Sequence, residues 1–576
     1  MSWERDPTIR SMLIMLDAVH KMFANSTNYY EKLTSVDKPL ITFQFIELQN
    51  FGLSDSLYIK MNARGIELTT FEVFKAKFEQ LLEAYDQKHG STLKDNFALK
   101  IDTVWTDLFW AYRDTRTQLF DEKLMNFIRI LATNEYALSS DRVLDNLREL
   151  VSSSPLNFDD FKRLDCLDDN FIVSFIMTLD VLKAPGLDGI KTYLPDTLLL
   201  NESELFRKAM ERNLSYPERV QLWALYKYLS KYPGDHNLSE WIRVIRNLTE
   251  NTRIDEIPDY VAAIESVAEI LNYGNQILPY IADSSHQIRG FLAIQIQEER
   301  VKALLIMKGE EWKRAIINIE NHGYFKGQIG FLLSFSGILE FFLKDQTLGW
   351  SAEDDKAYLA KFLAYSEKAE SVFGSSGLNE YDDYLFERAL LSIGNYTLVK
   401  GRNNSFLIDF DRDIGWKRLL RDDSNKRNYV KELFDGIETS QIRTDLQKFV
   451  GKYAVNDWRR YFIEFPEMIR ACGWNKFIRW ESQNNILLLE RTQTNGQHRE
   501  YYSYALCIRL KNMGNSVNYI SSYSVDNYAY ISNINGYAVS VYYNIAGQYV
   551  VEYEDSKNFF SSQDEVLAYL KNKSIV

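Results

Sequence analysis

The sequence predicts a mainly helical protein with α+β parts at its two ends. Three observations point that way. Apolar residues recur at the helical period through most of residues 95–445. Glycine and proline number only 26 and 10 in 576 residues, which favours long helices over a loop-rich scaffold. After Ile486 the pattern changes to short runs rich in aromatic and β-branched residues. The expected parts are 1–94, a helical region 95–445 of one or two domains, and an α+β domain 446–576.

The elements follow in chain order. Ile9, Met12, Leu13, Leu16, Val19 and Phe23 form the apolar face of an opening core helix, with Asp6 as cap and Pro7 at its first position. Residues 41–62 read as extended, because Ile41, Phe43 and Phe45, then Leu57, Ile59 and Met61, alternate with polar residues. A helix from Thr70 to about Tyr85 has the apolar face Phe71, Phe74, Phe78, Leu81, Leu82 and Tyr85, with Thr69 and Glu72 as a capping box. Trp105, Leu108 and Phe109 form the next apolar stripe, and Phe127, Ile130 and Leu131 another. Ser239 is expected to cap a helix carrying Trp241, Ile242, Ile245 and Leu248. Ile329 to Leu343 reads as one buried helix, too short and too charged at Glu340 to span a membrane. Turns are expected near Pro185-Gly186, Pro233-Gly234, Ser375-Ser376-Gly377 and Gly401-Arg402.

In the C-terminal part the expected strands are 486–489, 501–510, 528–534, 537–543 and 549–553. Asn535-Gly536 marks a hairpin between two of them. Ser562 and Glu565 frame the start of a last helix running to about Lys571. The prediction is an antiparallel sheet closed by a helix.

Composition narrows the function. Hydrophobic residues make up 46% and charged residues 26%, which excludes a disordered chain. A net charge of -13 excludes a protein that coats polyanions with its whole surface. One stretch differs: residues 446–511 hold 11 Lys and Arg against 6 Asp and Glu. There Arg459, Arg460, Lys476, Arg479 and Arg491 are interleaved with Trp458, Trp474 and Trp480. Basic groups supply phosphate contacts and indole faces stack on bases, so these arginines and Lys476 are the candidate DNA-binding residues.

Cys166, Cys472 and Cys507 are too scattered for a disulfide framework or a thiolate zinc site, and the start lacks signal-peptide character. A cytoplasmic protein without membrane attachment is expected. No phosphate loop, dinucleotide fingerprint, zinc-protease motif or nucleophile elbow occurs. The six histidines, His20, His89, His236, His286, His322 and His498, are isolated. No catalytic or metal-ligating residue is therefore assigned. Gln297, Glu298, Glu299, Arg300 and Lys302, followed by His322, Lys326 and Gln328, read as a solvated helix face rather than a site.

The segment Asp55 to Thr69 reads as strand, tight turn and capped helix. Gly65 suits a positive-φ turn, and Asn62 and Arg64 place amide and guanidinium donors beside a helix N-terminus that favours anions. Tyr58, Asn62, Gly65, Leu68 and Thr69 fall in register with an F-x-x-x-N-x-x-G-x-x-L-[ST] motif. This stretch, about 38–82, resembles the N-terminal domain of GmrSD-type restriction endonucleases, the uncharacterised-domain family 262.

The resemblance implies a ParB/sulfiredoxin-like start, nucleotide handling through an upstream D-G-Q-Q-R motif, and a place in modification-dependent restriction and phage defence. D-G-Q-Q-R is missing here, and so is the histidine–proline signature of the family's nuclease domain. The start is therefore expected to be truncated, with Asn62, Arg64 and Gly65 forming one wall of a nucleotide pocket. The expected function is a non-catalytic recognition or partner-binding portion of a defence protein. Two alternatives stand beside it. One is a nucleotide-dependent DNA endonuclease whose D-G-Q-Q-R half comes from a second chain, with a nucleoside triphosphate and Mg as cofactors. The other is the remnant of a split gene.

Overall fold

The computed structural model describes residues 7–25, 28–35, 37, 39, 41, 68–152, 154–183, 190–195, 198, 200–374, 381–408, 412–454, 456–474, 476–490, 497–523 and 528–576. The expected strands within 42–62, the pocket residues Asn62, Arg64 and Gly65, Arg491, and the turns at Pro185-Gly186 and Ser375–Gly377 lie outside the described residues. The chain divides into a unit 1–69 and a unit 70–576.

In the first unit the predicted helix is present as Pro7–Phe23 and is followed by Tyr29–Leu33. Its expected core face is exposed instead, with Met12 and Leu16 each at 56%. Periodicity specifies an apolar stripe but not what covers it.

The second unit is mostly helical, with two five-stranded antiparallel sheets towards its end. Caps set several helix starts. Ser215 accepts from the Glu218 amide while the Glu218 carboxylate accepts from the Ser215 amide, with Pro217 in the first turn of Tyr216–Lys231. The predicted helix over Trp241 is Leu238–Glu250, but Asn237 precedes it and Ser239 lies inside its first turn. The expected single helix over Ile329–Leu343 is two, Gly330–Phe335 and Ile338–Asp345. Gly337 breaks it at φ 85, a conformation glycine adopts without a Cβ penalty.

Among the described residues three large apolar cores build the unit, beside a small cluster of Phe477, Leu487 and Leu489. The first runs from Phe71 to Ala303, the second from Val301 to Tyr501 and Ile508, and the third from Leu506 to Ile575. Two helices serve two cores each. Ala293–Lys308 gives Ile296 and Ala303 to the first core and Val301 and Leu305 to the second. Tyr501–Asn512 gives Tyr501, Ala505 and Ile508 to the second and Leu506, Cys507 and Leu510 to the third.

That last helix replaces a predicted strand. Its apolar residues face two sides, so the one-sided stripe that signals a helix is blurred. Glu500 starts it, accepting from the Tyr502 and Ser503 amides.

The prediction of one sheet becomes two. The first comprises β1 (Leu398–Lys400), β2 (Asn403–Ser405), β3 (Phe477–Ser482), β4 (Asn485–Leu489) and β5 (His498–Glu500), in that spatial order. β2 pairs with β3 through Asn404↔Ile478 and Ser405↔Phe477, bringing residues 398–405 into the C-terminal region. The second comprises β6 (Val517–Ile520), β7 (Tyr530–Ile534), β8 (Val539–Tyr543), β9 (Tyr549–Tyr553) and β10 (Ser556–Phe560), also in order. The predicted Asn535-Gly536 turn joins β7 and β8, with φ of 52° and 92° as a type I′ turn requires. The closing helix is Gln563–Asn572, capped by Ser562 on the Glu565 amide and packed on the sheet through Val566 and Leu570. No helix among the described residues is long and apolar enough to cross a membrane.

Candidate functional site

The densest polar constellation lies where the first two cores meet. Helix Leu238–Glu250 supplies Glu240, Arg243, Arg246 and Asn247; helix Ala293–Lys308 supplies Gln295, Glu298, Glu299 and Lys302. Glu320 ends helix Glu310–Glu320, and the turn that follows carries Gly327 and Gln328. The solvated face expected at Glu298, Glu299 and Lys302 is thus buried: Lys302 and Glu299 are 0% exposed. Their spacing matches an exposed ion-paired helix equally well, and only the packing of a second charged helix decides between the two.

Lys302 Nζ donates to Glu299 Oε1 and to the Gly327 carbonyl, each at 2.6 Å, and pairs with Glu298 Oε1 at 2.7 Å and Glu320 Oε1 at 2.9 Å. Arg243 reaches Glu240 at 3.1 Å, Glu299 at 3.3 Å and Glu320 at 2.9 Å. Lys313 closes the rim on Glu240 at 2.8 Å. Four carboxylates thus face four cations, counting Arg246, which feels Glu320 and Glu299 electrostatically. Opposite charges at these distances offset the loss of hydration.

Burial works against both charges of this cluster. It pulls the Lys302 ammonium down, but Glu298, Glu299 and Glu320 more than reverse this, and the group stays protonated. Burial pushes Glu299 up despite Lys302 and Arg243, whereas Arg243 and Lys302 hold Glu320 low.

Two glycines permit the arrangement. A Cβ on Gly327, which has φ 88, would sit 2.0 Å from Asn247 Oδ1. One on Gly330 would sit 2.6 Å from Glu298 Oε2, which accepts from the Gly330 amide at 2.8 Å. The adjoining crevice between Glu298, Gln328 and Arg427 holds only about 20 Å³. That is room for about one water molecule, not a substrate. The network therefore joins two cores and its charges face one another, while Arg243 Nη2, Asn247 Oδ1 and Gln295 Oε1 find no hydrogen-bond partner among the described residues.

The basic residues of 446–511 are also largely engaged. Arg459 pairs with Asp457 at 3.0 Å and donates to the Leu391 carbonyl at 2.9 Å. Arg479 is 6% exposed and donates from Nε to Asn403 Oδ1 at 3.1 Å. Lys476 Nζ donates to the Gly473 carbonyl at 2.5 Å, and burial lowers its pKa. Arg460 is the open member, 3.8 Å from Glu464 with its guanidinium 5.5 Å from the Tyr461 ring centre.

The tryptophans divide. Trp458 is buried and meets Trp480 edge to face at 5.1 Å. Trp480 is 38% exposed and Trp474 is 81% exposed, two residues from Lys476. Lys476 Nζ also lies 3.3 Å from the Arg470 carbonyl, so Arg470, Trp474 and Lys476 share one locality.

The three cysteines are free and buried, and burial pushes the Cys166 thiol up to about 12 and Cys507 up to about 11. Among the described residues no group of His, Cys, Asp or Glu could hold a metal ion. Sequence reasoning missed Arg243, Glu240 and Glu320. The available signal was the Glu240–Arg243–Asn247 spacing, which lines polar groups along one side of an otherwise apolar helix. No protein-family model matches this chain, and no curated protein or solved structure matches it significantly.

Proposed function

We propose that this chain is a non-catalytic recognition component of a bacterial restriction-type defence system, contacting DNA through side chains of the basic stretch 446–511, among them Arg460, Arg470, Trp474 and Trp480. The observation that carries the reading is the 81% exposure of Trp474, close in sequence to Lys476 and to Arg470, which pairs with Asp383 at 2.7 Å. An indole left in water offers a stacking platform, and neighbouring guanidinium groups offer phosphate contacts. The motif around Asn62 and Gly65 supports the defence assignment. Exchange of charges within the Lys302 network supports a scaffold role for the helical region.

Fluorescence anisotropy with a labelled single strand and a labelled duplex tests the reading. A base stacked on an aromatic is worth about 1–3 kcal/mol. Trp474→Ala should therefore weaken single-strand binding by about fivefold to more than a hundredfold. Arg460→Ala should flatten the salt dependence by about one phosphate contact. Equal binding by wild type and the double variant refutes the DNA face. Plasmid cleavage or nucleotide hydrolysis by the purified chain alone refutes the non-catalytic reading.

A further inference from the structure

A second constellation lies away from both regions. Helix Asp121–Ala137, the end of helix Leu144–Val151, the end of helix Glu202–Met210 and the start of helix Tyr216–Lys231 surround a cavity of about 520 Å³. That size is typical of metabolite sites. Three arginines line it: Arg129, Arg212 and Arg219. Among the described residues none of the three pairs with a carboxylate.

Their donors are used very differently. Arg129 is nearly saturated by carbonyls: Nε donates to Leu150, Nη1 to Ser154, and Nη2 to Glu149 and Ser152, at 2.5–2.8 Å. It closes the C-terminal end of helix Leu144–Val151, where carbonyls lack partners. Arg212 makes one bond, from Nη2 to the Ser152 carbonyl at 2.6 Å. Its backbone holds φ 57, a conformation that is costly for a side chain of this kind. Arg219 is 6% exposed, and its Nη1 has no partner.

The carboxylates nearby do not supply the missing charge. Glu211 lines the cavity but pairs with Arg207 at 2.5 Å, and Glu149 pairs with Arg163. Glu122 is an exposed residue of the lining. A buried guanidinium without an anion is strongly unfavourable, and two more stand beside it. Burial, then the charges of Arg212 and Arg219, push the Arg129 pKa down to about 10, which registers that repulsion. A planar guanidinium with free forks matches the oxygens of a phosphate.

We propose that this cavity binds the terminal phosphate of a metabolite-sized ligand, with Arg219 and Arg212 in direct contact and Arg129 as a positioning residue that adds charge. A terminal group is required because Arg219 is almost wholly enclosed. A duplex backbone, continuous on both sides of each phosphodiester, cannot reach it.

Calorimetry and thermal melting on the full chain test this, using inorganic phosphate, adenosine 5′-monophosphate, a DNA duplex, and chloride at matched ionic strength. The expected result is saturable binding of phosphate and the monophosphate, with a rise in melting temperature that chloride does not produce. Arg219→Gln should weaken binding by about tenfold or more while leaving the ligand-free protein as stable as wild type or more so, because a buried like charge is removed. If Arg219→Gln does not fold, Arg212→Gln, at a half-buried position, carries the test and should also lose about tenfold. Three results overturn the proposal: phosphate acting no differently from chloride, unchanged binding in every foldable variant, or binding of the duplex alone. None of these variants touches Arg460 or Trp474, so this test and that of the DNA face fail independently.

Discussion

Glu500 gives the protein a pH dependence that can be worked out in advance. Its carboxylate accepts from the Tyr502 amide at 2.8 Å and the Ser503 amide at 2.7 Å, and no cation among the described residues pairs with it. Burial pushes its pKa up to about 7, against 4.5 for an ordinary glutamate, and the two amides pull back only part of the rise. Each pH unit of such a difference corresponds to about 1.4 kcal/mol, so the whole is about 3 kcal/mol. The folded state binds this proton more tightly than the unfolded state. The stabilisation is therefore complete below pH 4.5, shrinks as pH rises, and is gone above about 7. Glu500→Gln keeps a capping oxygen and does not titrate. Urea unfolding of both proteins from pH 4.5 to 8 isolates the effect as a difference curve. The difference should move by about 3 kcal/mol in favour of the glutamine variant as pH rises. A flat curve, or one that tilts the other way, refutes the argument that desolvation outweighs capping here.

Two further outcomes follow from the buried network. Lys302→Met leaves three carboxylates without their shared cation and should cost about 3–5 kcal/mol in urea unfolding; a loss below about 1 kcal/mol would mean that Arg243 alone suffices. Gly327→Ala meets both a positive φ and the Asn247 amide, and should cost at least about 2 kcal/mol. Adding Asn247→Ala should recover the steric share but not the conformational one, so complete recovery would show that the backbone angle is unstrained.

The sequence was most readable where one face of an element meets one core. The Thr70 helix, the Asn535-Gly536 hairpin and the final capped helix all show a single clear period with a local start or turn signal. Legibility failed where an element meets two environments. Helix Tyr501–Asn512 presents apolar groups to two cores and passes for a strand. The charges on Ala293–Lys308 pass for a wet surface because their partners lie on Leu238–Glu250 and Glu310–Glu320, far away in sequence. The phosphate cavity shows the same limit. Arg129 and Arg219 sit on two separate helices and Arg212 in the turn after helix Glu202–Met210, and no local spacing announces that they converge. The basic stretch 446–511 could be read as charge, but not as charge already answered by Asp457, Asn403 and main-chain carbonyls.

The shared position of Ala293–Lys308 bears on how the polypeptide comes apart. Cutting between the first two cores would strand Glu298, Glu299 and Lys302 on one fragment without Arg243, or leave Arg243 alone on the other. Neither piece could hide those groups from water without a counter-ion. Heating or shortening the chain near residue 300 should consequently melt both neighbours together, as one cooperative block, rather than liberate either half intact.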